Sequence, residues 1–234
     1  MKKNLLFVLF SLLLCPIALQ AQDRPADLKQ NEPFIYLRNN TLLREGDYEI
    51  KPGFLSKRFF YPNGEKISLT DIKYFQDEKG YYSISPGGYG TAKRIEPGTM
   101  DLFIKYDYSS EGTIKKYYYA KGFGDAKLVN YKNLEQDLVL SSERAYRSQN
   151  ELIQGYLKKG KTNSIIRWSV FGGGMATFFT GMAIYGGDKG PDDSSVKKTG
   201  LIVSLVGIVT AGVSLTINSE KSYLKALREY NKVY

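Results

Sequence analysis

Two stretches near the C-terminal end carry no charged side chain: Trp168 to Gly187, 20 residues, and Thr199 to Ser219, 21 residues. At a rise of about 1.5 Å per residue, each reaches about 30 Å as a helix, the thickness of a bilayer's hydrocarbon core. The polar segment 188–198 joins them, with Gly190-Pro191 as its turn. The pattern predicts a transmembrane helical hairpin over 162–219, and the competing reading is a hairpin buried in a soluble protein. Trp168, Tyr185 and Tyr223 fall where interfacial aromatics belong. Gly173, Thr177 and Gly181 repeat every four residues, as do Gly200 with Ser204 and Gly207 with Ala211. Small residues on one face let helix backbones approach closely, so these seven are the expected packing positions, within the hairpin or between copies in a homo-oligomer. Neither stretch holds an ionisable side chain that could serve a proton relay.

The opposite end predicts export. Lys2 and Lys3 precede an apolar run from Leu5 to Leu14, and Ala18-Leu19-Gln20-Ala21-Gln22 follows. This is the order of a secretory signal, with residues 1–21 removed by cleavage after Ala21. Cys15 raises a lipoprotein reading, but the bulky Leu14 before it departs from that pattern.

Between these ends, residues 22–130 read as a small β domain. The chain holds 19 Tyr and 12 Phe, which suit pleated, half-wet surfaces. Phe34 to Arg38, Lys57 to Tyr61, Ile72 to Phe75 and Tyr81 to Ile84 read as strands, and Asn63-Gly64 predicts a hairpin turn. Leu102, Ile104, Tyr106 and Tyr108 alternate with Phe103, Lys105 and Asp107, which predicts one apolar and one wet face.

From Asn133 the period becomes helical. Leu134, Leu138, Ala145, Leu152 and Tyr156 form a stripe, widened by Val139, Tyr146, Ile153 and Leu157. The expectation is an amphipathic linker helix over 131–161, capped by Asn133 and ended by Gly160, with a helical tail over 220–234 whose Tyr223, Leu227, Tyr230 and Tyr234 share a face. The predicted class is therefore α+β: an exported all-β domain, an amphipathic helix and a two-helix transmembrane hairpin.

Several chemistries are excluded or disfavoured by residue type. The chain has no His, and its one Cys is Cys15, which removes imidazole and thiolate metal sites, His bases and Cys nucleophiles. Gly155 to Thr162 spells the nucleotide P-loop G-x-x-x-x-G-K-[ST], but a predicted helix precedes it and an apolar span follows, where the chemistry needs a strand, a loop and then a helix. The glycine clusters at 85–90 and 122–124 read as turns, and Asp188, Asp192 and Asp193 as a solvated loop. The net charge is +9, yet residues 22–164 carry 23 basic and 19 acidic side chains without a basic stripe, unlike nucleic-acid binders. No catalytic residue, metal site, cofactor, nucleotide or nucleic acid is expected.

Ala21-Gln22, the run Phe34-Ile35-Tyr36-Leu37-Arg38-Asn39-Asn40, Gly172-Gly173-Gly174 and Tyr230-Asn231 give the chain a resemblance to a group of envelope proteins of the Bacteroidota. The resemblance implies a place in the cell envelope and brings no activity with it. The expected function is a non-enzymatic inner-membrane protein whose periplasmic β domain binds a protein or a glycan. The alternatives are a structural subunit assembled through the hairpin and a hydrolase using carboxylates or Ser. The signal peptide predicts the loop 188–198 inside and the tail outside, against a slight opposite bias in flanking Lys and Arg.

Overall fold

The computed structural model describes residues 32–51, 57–84, 90–110, 112–138, 146–187 and 194–233. The expected signal peptide, Cys15, the 85–89 glycine cluster, Val139, Ala145, the three Asp of the 188–193 loop and Tyr234 lie outside them. The chain is α+β and divides into two units between Leu128 and Val129.

In the first unit, alternating apolar residues and close turns build two antiparallel sheets. The larger contains β1 (Phe34–Leu37), β2 (Leu42–Arg44), β6 (Ile72–Asp77), β7 (Gly80–Ile84), β8 (Thr91–Glu96), β9 (Met100–Ser109), β10 (Gly112–Lys121) and β11 (Lys127–Leu128), in the order β11-β10-β9-β8-β7-β6-β1-β2. The smaller contains β3 (Glu49–Lys51), β4 (Arg58–Phe60) and β5 (Lys66–Ile67). The hairpin at Asn63-Gly64 joins β4 to β5, pairing Phe59 with Ile67. Only Gly64 there has positive φ (84°), because Pro62 presets the first turn position and leaves the left-handed step to the glycine.

Each face of the large sheet has its own core. On one, Tyr74 stands 5.5 Å from Tyr81, 6.0 Å from Phe103 and 5.7 Å from Phe123, centroid to centroid, and its hydroxyl donates to Gly124 O. On the other, Ile35, Ile72, Phe75 and Ile84 are covered by Phe59 and Ile67 of the small sheet. The expected division of β9 into an apolar and a wet face fails. Leu102 and Phe103 point to opposite faces and are both fully buried, whereas Tyr106 and Tyr108 are exposed. The reason is position: β8 pairs with β9 only as far as Ile104, so beyond it β9 and β10 form a ribbon open on both faces.

The second unit has four helices among the described residues: α1 (Tyr131–Asp137), α2 (Arg147–Gly186), α3 (Ser194–Ser214) and α4 (Glu220–Asn231). The expected linker helix is two elements. Asn130, not Asn133, caps α1, its Oδ1 accepting from Asn133 N at 2.9 Å. Gly160 does not end a helix. It lies inside α2, which runs 40 residues without a proline, about 60 Å. Of the predicted stripe, Leu134, Leu138, Ile153 and Leu157 are buried and Leu152 is exposed. On α4, Tyr223, Leu227 and Tyr230 of the expected tail face are buried, and Ala226 is buried with them.

Candidate functional site

Glycine inside a helix costs about 1 kcal/mol relative to alanine in water, so a helix that keeps several has a packing reason for some of them. In α2 that reason is α3. A Cβ on Gly174 would lie 2.5 Å from Ala211 N and 2.8 Å from Gly207 O, and one on Gly207 would lie 2.7 Å from Gly174 O. Further along, a Cβ on Gly181 would lie 2.7 Å from Gly200 O, and one on Gly200 2.8 Å from Gly181 O. The two helices therefore run antiparallel with their backbones in contact at two reciprocal glycine pairs. Ser204 joins them: its hydroxyl is placed to donate to Gly200 O (3.0 Å) on its own helix and to Phe178 O (3.3 Å) on α2.

Five of the seven packing positions expected from sequence meet in this seam: Gly181, Gly200, Ser204, Gly207 and Ala211. Gly173 does not, since a Cβ on it would meet open space, and Thr177, half-buried beside the seam, donates to Gly173 O within its own helix. The α2 contact repeats every seven residues, Gly174 to Gly181, and matches the same interval in α3, Gly200 to Gly207. That shared interval is the signal that would have identified Gly174.

What faces outward is as informative as the seam. Leu201, Ile202, Leu205, Val206, Ile208, Val209, Val213 and Leu215 of the α3 region are exposed, as are Phe179 and Met182 of α2. Among the described residues α3 is the one helix long and apolar enough to cross a membrane, and only 22% of its most apolar window is buried. The α2 half of the hairpin is uncharged but does not reach the same mean hydropathy, because glycines replace apolar side chains.

Trp168 (66% exposed) and Tyr185 (46%) lie about 26 Å apart along α2 on the outward apolar surface, which Ile165 and Ile166 continue for one turn past Trp168. Tyr223 departs from the expected interfacial role. It is 6% exposed and lies against Gly160, where any Cβ would overlap its ring. Just beyond Trp168, burial is the main cause raising the pKa of the Glu220 carboxyl, and Arg167 opposes it.

The P-loop spelling at 155–162 is helical throughout, so its N–H groups lie along α2 and form no loop. Gly122 to Gly124 form the turn expected there, with Phe123 buried. Among the described residues no group of three His, Cys, Asp or Glu side chains is placed to hold a metal ion. In the sheet unit a cavity of about 480 Å³ is lined by Tyr48, Ile50, Lys57, Asp77 and others, and Lys57 is paired with Asp77 inside it. Burial, aided by Glu45, pushes the Tyr48 phenol up to about 12. No family model, curated protein or solved structure matches the chain.

Proposed function

We propose that this chain is a non-enzymatic protein of the cell envelope, held in the inner membrane by the α2–α3 hairpin and presenting its sheet unit in the periplasm to bind a protein or a glycan. The observation that carries the reading is the hairpin's inverted packing: small residues inside, large apolar residues outside, over about 26 Å between Trp168 and Tyr185. A helix pair in water hides its large apolar side chains, whereas one in lipid gains little from doing so and packs on small residues instead. The length is close to a hydrocarbon core of about 30 Å, and Trp and Tyr at both limits suit the headgroup level.

The test is to place charge on the outward face. Val206→Lys with Val209→Lys puts two ammonium groups near the middle of the apolar zone, each disfavouring insertion by about 2.5–3.5 kcal/mol. In bacteria the wild-type chain should stay with membranes through an alkaline wash and require detergent for release, and the double variant should be lost from that fraction. A double variant that stays membrane-bound and stable, or a wild-type chain released by the wash, overturns the anchor. Protease admitted to the periplasm should then digest the sheet unit, and protection of that unit would overturn its placement.

A further inference from the structure

We infer that the base of the hairpin carries a basic collar that binds anionic phospholipid headgroups, an inference that rests on the hairpin being in a bilayer. Lys158, Lys159 and Lys161 on α2 are exposed, and so are Lys221 and Lys225 on α4. Two contacts set the helices at one level: Gly160 against Tyr223, and Asn163 Nδ2 donating to Asn218 O at 3.4 Å. Lysines far apart in sequence thus converge beside the Trp168 end of the apolar zone.

None of the five is in an ion pair among the described residues. Lys161 stands over the Tyr131 ring at 4.3 Å and Lys225 over Tyr156 at 5.8 Å, contacts that hold the ammonium groups without neutralising them. Two acids lie near this level: Glu220 is countered by Arg167, and Glu135 is engaged by the Tyr131 hydroxyl beneath Lys161 without pairing with a collar lysine. In the sequence, the connecting segment 188–198 carries three Lys and three Asp, a formal net charge of zero. The positive charge is therefore concentrated on one side of the apolar zone.

Depth fits a headgroup layer. Along the α2 axis Lys161 lies about 10 Å and Lys158 about 15 Å from Trp168. Headgroups extend about 5–8 Å beyond the hydrocarbon on each side, and the surface potential of anionic lipid reaches roughly a further Debye length of 8–10 Å. Basic side chains in that zone attract anionic lipid, each by several-fold when at the surface and less when deeper.

The chain contains its own reporter, since Trp168 is the only tryptophan and stands at the collar's edge. The full chain is reconstituted in mixed phosphatidylcholine–phosphatidylglycerol vesicles, and Trp168 fluorescence is read with brominated acyl chains on one lipid or the other. Phosphatidylglycerol should be favoured around Trp168 by roughly fivefold. The preference should fall to near parity in K158Q/K159Q/K161Q/K221Q/K225Q, persist when the same five become Arg, and vanish in about 1 M salt, where the Debye length is about 3 Å. Equal quenching by the two lipids in the wild-type chain overturns the collar and leaves the anchor standing. Quenching by neither overturns the anchor itself.

Discussion

At Tyr74 in the sheet unit three other rings lie within 6.0 Å, whereas at Gly181 in the hairpin the nearest neighbours are backbone and hydroxyl atoms of Gly200 and Ser204. Both positions are fully enclosed, but by opposite means. Around Tyr74 stability comes from aromatic area removed from water, the term that dominates folding in aqueous solvent. Around Gly181 almost no side-chain area is available, and what is gained is close contact between backbones. The apolar area that would normally sit inside such a pair is on its outside. One chain thus uses two packing rules, each suited to a different solvent.

The largest expected loss from breaking this contrast is in the sheet unit. Phe103→Ala removes a fully buried ring and should destabilise that unit by about 3–5 kcal/mol, seen in urea unfolding followed by near-UV circular dichroism. The loss should be the same in detergent as in lipid. Gly181→Leu works in the reverse sense, by adding bulk. It should weaken the α2–α3 contact by about 1–3 kcal/mol, measured as a longer distance between spin labels at Phe179 and Ile208 in vesicles. An unchanged distance would show that the seam does not depend on glycine.

A smaller effect in the sheet unit is read by pH. Burial raises the pKa of Tyr74 and of Tyr48, the latter to about 12, so the folded sheet unit keeps these protons to higher pH than an unfolded chain, whose tyrosines titrate near about 10. Between those values the folded state binds more protons, and stability must fall as pH rises through that window. Tyrosinate absorbance should therefore show a late cooperative step coincident with loss of the near-UV signal. A titration finished near pH 10 with the fold intact would contradict it. The smallest expected effect is that of Gly173→Leu: with open space at its Cβ, it should leave the spin-label distance unchanged and shift stability by no more than about 0.5 kcal/mol.

The contrast between Gly173 and Gly174 also shows what a sequence can and cannot carry. Strands around Tyr74 and Tyr81 and the turn at Gly64 follow from local patterns and are present, whereas the first uncharged stretch is only the second half of α2 and the second lies mostly in α3. Which of three successive glycines faces the partner does not follow locally. Each points about 100° from the next, and only α3 decides the phase. Gly160 is the same problem in another form. A glycine after an amphipathic run reads as a helix end, and only the distant Tyr223 makes it an interior contact. In β9 the alternation was legible but its meaning was not, because burial at Phe103 and exposure at Tyr108 depend on where β8 stops.

The unbroken course of α2 has a mechanical consequence. From Trp168 back to Arg147 the same rod continues for about 32 Å, with no proline along it to act as a hinge. Membrane helices adjust to bilayer thickness by tilting. A change of about 10° pivoted at Trp168 moves the Arg147 end by about 5 Å, and α4, packed along that half, is carried with it. In the proposed membrane placement, the thickness of the surrounding lipid would thereby be converted into a lateral displacement well outside it.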